Sequence, residues 1–203
     1  MTRIALSIAL IGLLFAPALA QAPPAGTPTG VRGTVEKLDG QTLTVETREG
    51  PVATIALAPN FTVSGVVKKE LADIKEGDYV GVASMRGTNG KLRGIEVLIF
   101  PEAMRGTAEG EFPWDLQPGS MMTNAAVTGV AAERAGRTLK LAYKGGESEI
   151  MIAPEAPIVT LQPADASLLK PGAAVFLVAR KQPDGSLTAA RVTAEKDGVK
   201  PPM

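Results

Sequence analysis

The side chains able to do chemistry in this chain are of few types. The 203 residues include no His and no Cys. A Ser-His-Asp triad, a thiolate nucleophile, a disulfide and a His- or Cys-ligated metal site are therefore excluded. Carboxylates, Lys, Tyr and Ser remain, but no pattern sets two acids in a cleft, and no Gly-x-x-x-x-Gly-Lys-Ser/Thr phosphate loop occurs. We expect no catalytic site and no bound cofactor.

The densest group of large apolar side chains lies in one segment, "EFPWDLQPGSMMTN" (111–124), which contains the only Trp and one of the five Phe. Such a segment is too apolar for a freely solvated linker. It either packs between domains or forms a ligand or partner site there, since pockets favour domain interfaces. The candidate ligand-binding residues are Phe112, Trp114, Asp115, Met121, Met122 and Asn124.

A metal role for this segment is the alternative. Thioether sulfur suits Cu(I), and Met121 and Met122 lie in the same segment as Met104. No His accompanies them, adjacent side chains point in different directions, and the Asp-x-Asp-x-Asp-Gly spacing of a calcium loop is absent. We predict no resident metal, and keep a metal-handling accessory role for these Met and carboxylate residues as the second hypothesis.

Two parts of the chain resemble one another. The stretch "VRGTVEKLDGQTLTVETREG" (31–50) recurs 96 positions later as "VTGVAAERAGRTLKLAYKGG" (127–146), with Val, Thr, Leu and three Gly in common. Further on, "IKEGDYV" (74–80) recurs 95 positions later as "LKPGAAV" (169–175). Similarity sustained at one offset indicates an internal duplication.

Each unit has the pattern of β-structure. "TLTVET" and "TLKLAY" alternate apolar and polar residues with period two, and Gly-containing turns flank them. Each unit predicts three strands, a short helix ("KKELADI" or "ADASLL") and a two-stranded hairpin. The order predicts an all-β fold of two tandem OB-like barrels, each with one short helix, joined by an ordered connector. An SH3-like barrel or a small sandwich remains an alternative for each unit.

The N-terminus has the three-part pattern of a secretory signal peptide. One Arg precedes an apolar run, which ends in the triplet Ala-Leu-Ala. We expect cleavage after Ala20 and export to the periplasm, with no membrane-spanning segment thereafter. The predicted divisions are a signal peptide (1–20), a flexible linker (21–30), a first barrel (31–100), a connector with Trp114 (101–125), a second barrel (126–196) and a tail (197–203).

The charge pattern narrows the range of partners. The chain has 21 basic and 21 acidic residues, interspersed, and aromatic residues make up 4%. A nucleic-acid-binding protein needs a basic face, and single-strand binding needs several aromatic platforms. We therefore expect a non-enzymatic binding or interaction module whose partner is a protein, a peptide or a small ligand.

The segments "VRGTVEKLDGQTLTVETREG…ADIKEGDYVGV" and "FPEAMRGTAEGEFPWDLQPGSMMTN" resemble a group of uncharacterised exported proteobacterial proteins with small β domains of unknown function. The resemblance covers nearly all of the mature chain. Some members are labelled metal transporter permeases, which this sequence does not support, because a permease needs several spanning helices. Members tend to place a His beside the Pro-Trp-Asp segment, where this chain has Glu111 and Phe112. The resemblance implies export and small β domains but no mechanism.

Overall fold

The computed structural model describes residues 26–133 and 136–202. The predicted signal peptide lies outside the described residues, as does the first half of the predicted linker. The all-β prediction is confirmed. The strands are β1 (Thr27–Asp39), β2 (Thr42–Thr47), β3 (Val52–Lys69), β4 (Tyr79–Arg86), β5 (Leu92–Ile99), β6 (Gly110–Trp114), β7 (Ser120–Glu133), β8 (Gly136–Tyr143), β9 (Gly146–Ile152), β10 (Ile158–Ala164), β11 (Ala174–Lys181) and β12 (Leu187–Ala194).

Single 3-10 turns stand where the sequence predicted short helices. They span Leu71–Asp73 and Ala166–Leu168, and a third turn spans Glu102–Met104 in the connector. None of these turns contains a fully buried residue, although Leu71 and Leu168 each pack part of the side chain against a barrel core. Throughout the described ranges, no helix is long and apolar enough to cross a bilayer.

The first barrel is a closed ring of five strands. β1 pairs with β2 and β11, β2 pairs with β3, β3 pairs in parallel with β12, and β12 pairs with β11. The period-two alternation of β2 directs Leu43 and Val45 into the interior, where they are fully buried beside Ile55 of β3.

The second barrel closes in the same way. β7 pairs with β8 and β4, β8 pairs with β9, β9 pairs in parallel with β5, and β5 pairs with β4. Its core is a separate cluster that includes Val80, Val82, Leu139 and Ile150, all fully buried. Each barrel therefore has its own hydrophobic core.

The two barrels do not coincide with the predicted units 31–100 and 126–196. The β4–β5 hairpin completes the second barrel, and the β11–β12 hairpin completes the first. The cause is β3, which runs on for 18 residues and, at roughly 3.3 Å per residue, extends about 60 Å. It carries the chain out of the first barrel, and Lys68 and Lys69 end this strand instead of starting a helix.

A second ladder joins the barrels. The far end of β3 pairs antiparallel with β10, so that Lys69 lies opposite Ile158, Val66 opposite Leu161 and the ladder continues to Ala164. β10 also pairs in parallel with the end of β5. The barrels are thus connected by continuous backbone hydrogen bonding.

The predicted connector, 101–125, contains regular structure. β6 lies within it and forms a hairpin with the first part of β7. Because β7 begins at Ser120, the strand that opens the second unit starts before the predicted boundary at 126. The connector is thus an extra strand on the second barrel.

The predicted linker and tail are also partly ordered. β1 begins at Thr27, inside the predicted linker 21–30, and runs alongside β11. In the tail, 197–203, Val199 exchanges two backbone hydrogen bonds with Lys196. Backbone pairing fixes both segments at their described positions.

Candidate functional site

Five of the six residues predicted as a site lie on the strands of the β6–β7 hairpin, and the sixth, Asp115, lies in the turn between them. Phe112 lies opposite Met122, and the side chains of Trp114 and Asn124 share that face, which is turned away from the interior of the second barrel. Met121 points to the other face. The structure therefore brings most of the predicted residues to one face but not all six to one point.

Trp114 packs at the junction of the barrels. Its ring meets Phe112 and Phe176 of β11 edge-on, with centroids 6.1 and 5.9 Å apart. The guanidinium of Arg32 in β1 lies 5.1 Å from the Trp114 centroid and 4.4 Å from that of Phe176. Arg32 is only 4% exposed and donates a hydrogen bond to Asp115 at 2.6 Å. These contacts attach the connector to the first barrel.

A buried carboxyl group faces the same junction from the second barrel. Burial raises the pKa of Glu96 to about 7, although the charge of Arg32 acts in the opposite direction. Oε2 of Glu96, Nε of Arg32 and Nε1 of Trp114 are buried without a hydrogen-bond partner among the described residues. Each such group costs about 1–3 kcal/mol, a cost that the aromatic and cation–π packing and the hydrogen bond from Arg32 to Asp115 must offset.

The Met residues of the connector do not converge. Met121 and Met122 are neighbours in β7, and their side chains lie on opposite faces of the strand. Met104 lies in a 3-10 turn of the connector. Within residues 26–133 and 136–202, no three acidic side chains are grouped closely enough to hold a metal ion. The geometry gives no specific support to the metal hypothesis.

A cleft of about 460 Å³ opens at the mouth of the second barrel. One wall is the β4–β5 turn with Arg86 and Lys91, and another is the start of β9 with Glu147, Ser148 and Glu149. This cleft is not evident from the sequence, because its residues come from three separate parts of the chain.

The cleft exists because two strands separate. β5 and β9 pair over only three positions, from Leu92 opposite Ile150 to Gly94 opposite Ile152. β9 begins four residues earlier, at Gly146. There the chain of β5 has already entered the β4–β5 turn, so the barrel wall is open.

The start of β9 presents an unpaired backbone edge to this opening. Tyr143 and Gly146 close the two-residue β8–β9 hairpin and exchange backbone hydrogen bonds. Because hydrogen-bonded pairs alternate along an antiparallel ladder, Ser148 also bonds to β8. Glu147 and Glu149 therefore direct their N–H and C=O groups away from β8. The parallel pairing of Leu92 with Ile150 places the Leu92 N–H on the Glu149 C=O, so the groups left without a strand partner in the described part of the chain are the N–H and C=O of Glu147 and the N–H of Glu149.

The connector supplies a third wall through Glu111. Its carboxylate accepts hydrogen bonds from the hydroxyls of Ser148 at 3.1 Å and Thr123 at 3.4 Å. The hydroxyl of Tyr143 lies 3.4 Å from that of Ser148. The alternation of side chains along a strand could have identified Glu111 in the sequence. If "EFPW" is a strand, Glu111 must point to the face opposite that of Phe112 and Trp114.

The charges of the cleft are mixed. Its charged lining residues are Arg86, Lys91, Glu111, Glu147 and Glu149. The Glu149 carboxylate lies 3.5 Å from the ammonium of Lys140, which offsets one negative charge. The arrangement suits a polar ligand that meets carboxylates on one side and cations on the other.

Comparison of the chain with protein-family models, curated proteins and solved structures gave no match.

Proposed function

We propose that this chain is an exported, non-enzymatic binding module of the periplasm, and that its ligand lies in the cleft of the second barrel. The observation that carries the proposal is the polar cleft of about 460 Å³ with an open strand edge in its wall. Ligand sites typically span roughly 300–1,000 Å³. The signal-peptide pattern of residues 1–20 supports export.

The strand order supports an OB-type assignment for both barrels. Around the first ring the order is β1-β2-β3-β12-β11, and around the second it is β7-β8-β9-β5-β4. Each ring pairs its third strand in parallel with the last strand of a hairpin. OB barrels bind ligands on their second and third strands and the adjoining loops. In the second barrel these strands are β8 and β9, which line the cleft.

We also propose that the chain arose by duplication, with the two units exchanging their C-terminal hairpins. The β3–β10 ladder supports this origin. Val66 lies opposite Leu161, its own counterpart at the offset of 95 that relates 74–80 to 169–175. At the same offset, Lys69 corresponds to Ala164 and Val63 corresponds to Ile158. Because Lys69 pairs with Ile158 and Val63 pairs with Ala164, the ladder is unchanged when the two copies are exchanged. A twofold relation between two copies has this property.

The connector then has a function that neither copy supplies. β6 lies beside the second barrel, and its residue Glu111 completes the cleft there. The connector has no counterpart in the repeated units. Duplication therefore supplies two barrels, and the inserted strand distinguishes one of them as the binding barrel.

Native mass spectrometry tests the proposed function. The protein would be exported with its own leader, purified gently without chelator, and weighed before and after denaturation. We expect an additional mass that denaturation releases and that Ser148→Trp, which fills the cleft, abolishes. Ser167→Trp is the matched control, because Ser167 is exposed in a distant 3-10 turn. A bare wild-type mass, or a bound mass that Ser148→Trp leaves unchanged, would contradict the proposal.

A further inference from the structure

We infer that the ligand of the cleft is an extended peptide that adds a strand to the open edge of β9, an inference that rests on the proposed binding function. The N–H and C=O of Glu147 and the N–H of Glu149 are directed into the cleft. The polar groups on one edge of an extended peptide repeat every two residues, with the same spacing. Unpaired strand edges of this kind are templates for another chain.

The place of the peptide follows from β5, which begins at the edge of the cleft. β5 pairs in parallel with β9 as far as Leu92 and Ile150. A bound segment would continue the line of β5 beside the first four residues of β9, Gly146 to Glu149, a length of about 13 Å. The site therefore accommodates about four residues of an extended chain.

The side chains of the cleft specify the chemistry of that peptide. Along a strand beside β9, side chains alternate between two faces. Those on the inner face meet Glu111 and Tyr143, and those on the outer face meet Glu147. Among the described residues, no Lys or Arg side chain forms an ion pair with the carboxylate of Glu111 or of Glu147. Lys or Arg side chains of the peptide fit both faces.

The opposite wall is compatible with the same ligand. Arg86 and Lys91 lie on the β4–β5 turn that borders the cleft. The outer edge of a bound strand presents carbonyl groups to this wall, and cationic side chains donate hydrogen bonds to carbonyls. The two walls then recognise different parts of one peptide, its basic side chains and its backbone.

A glycan is the competing ligand class, and the open edge disfavours it. A glycan could use the hydroxyls of Tyr143 and Ser148, but sugar hydroxyls do not repeat at the two-residue spacing of a strand edge. It would leave backbone groups of Glu147 or Glu149 without partners. An extended peptide satisfies these groups as a set.

The test is a nuclear magnetic resonance titration of the ¹⁵N-labelled mature chain with acetyl-Ser-Lys-Thr-Lys-Ser-amide. We expect the amide signals of Glu147 and Glu149 to shift and their solvent exchange to slow at least fivefold. Versions of the peptide with alternate amides N-methylated, or with both Lys replaced by Glu, should bind at least tenfold more weakly. Equal binding of the N-methylated peptides would overturn strand addition.

Two variants of the protein distinguish the contribution of the Glu147 N–H to peptide binding from that of the Glu147 carboxylate. Glu147→Pro removes an N–H on the cleft edge without touching the bonds to β8, and Pro is tolerated on such edges; we expect at least a tenfold loss of affinity. Glu147→Gln keeps the backbone and should lose only two- to fivefold. Glu36→Gln, at an exposed position of the first barrel, should change nothing. If Glu147→Pro does not fold, the N-methylated peptides make the same test.

The failures of this inference and of the proposed function are distinguishable. If tetra-N-acetylglucosamine shifts the cleft amides and the peptide does not at millimolar concentration, the peptide inference is overturned while the binding function remains. If neither probe shifts them and the native protein carries no additional mass, both are overturned.

Discussion

The Ser148 hydroxyl donates a hydrogen bond to the Glu111 carboxylate across 3.1 Å. This contact joins the connector strand β6 to β9 of the second barrel. On the other face of the same strand, Trp114 packs against Phe176 of the first barrel. One short strand therefore has two roles, because alternate residues point in opposite directions.

Trp114→Ala should lower the free energy of unfolding by about 2–3 kcal/mol, since the ring is only partly buried but contacts two aromatic rings and Arg32. Urea denaturation, followed by circular dichroism, measures the change. Trp114→Phe keeps an aromatic ring and removes the buried Nε1 that lacks a partner, so it should remain within about 1 kcal/mol of wild type. An alanine variant as stable as wild type would show that the junction does not depend on this ring.

Glu96 should make stability depend on pH near neutrality. Its folded pKa of about 7 lies above the unfolded value, so the folded state binds the proton more tightly. The resulting stabilisation is complete below pH 4.5 and is lost as pH rises to 7 and above, by about 3 kcal/mol. Denaturation of the wild type at pH 5, 6, 7 and 8 should show this fall.

Glu96→Gln should remove that pH dependence, because the amide does not titrate. The control is Glu36→Gln, an exposed position that should keep the wild-type slope. If Glu96→Gln and the wild type have the same slope between pH 5 and 8, Glu96 is not the titrating group.

Two equivalent glycines should respond differently to alanine. A Cβ on Gly33 would lie 2.0 Å from the backbone oxygen of Glu46, which cannot easily move, whereas at Gly129 the nearest atom is Cδ of Lys140 at 3.5 Å. Gly33→Ala should therefore cost about 2 kcal/mol or more, and Gly129→Ala should be within about 0.5 kcal/mol of wild type. Thermal unfolding measures both, and equal effects would contradict the close approach at Gly33.

The pairing of β11 and β12 in the first barrel, and of β4 and β5 in the second, predicts which segments open together. Leu43→Ala creates a cavity in the first barrel, so amide hydrogen exchange should accelerate in β11 and β12, far away in sequence. Leu139→Ala, the counterpart in the second barrel, should accelerate exchange in β4 and β5. Mass spectrometry of proteolytic peptides resolves these segments. Acceleration in β4 and β5 caused by Leu43→Ala would mean that barrels follow the halves of the chain.

Local pattern was sufficient for the strands but not for the pairing between them. The alternation of Thr42–Thr47 predicted a strand whose Leu43 and Val45 are buried, as found. The pairing of the β4–β5 hairpin with β7 and β9, and of the β11–β12 hairpin with β1 and β3, could not be predicted, because two segments of similar sequence offer similar partners to each hairpin. The length of β3 determines which barrel each hairpin can reach. The part of β3 after Leu57 pairs with β12 and β10, which are distant in sequence, so local pattern does not reveal that length.

The candidate site was predictable only where it depends on side-chain size. Phe112 and Trp114 are recognisable in the sequence as large apolar residues in a connector, and their rings are in contact at the junction of the barrels. The cleft was missed because its open wall consists of backbone groups of Glu147 and Glu149. The unpaired edge exists because β5 begins only at Leu92, opposite Ile150, and no residue type marks that start in the sequence.

Amide hydrogen exchange in the ligand-free protein would show directly whether the edge of β9 is open. Nuclear magnetic resonance would resolve the four successive amides from Glu147 to Ile150. We expect Ser148 and Ile150, which are bonded to β8, to be protected, and Glu147 and Glu149 to exchange at least tenfold faster because their N–H groups face the cleft. Uniform protection of all four amides would show that this edge is already paired, and the cleft would then offer no strand edge to a ligand.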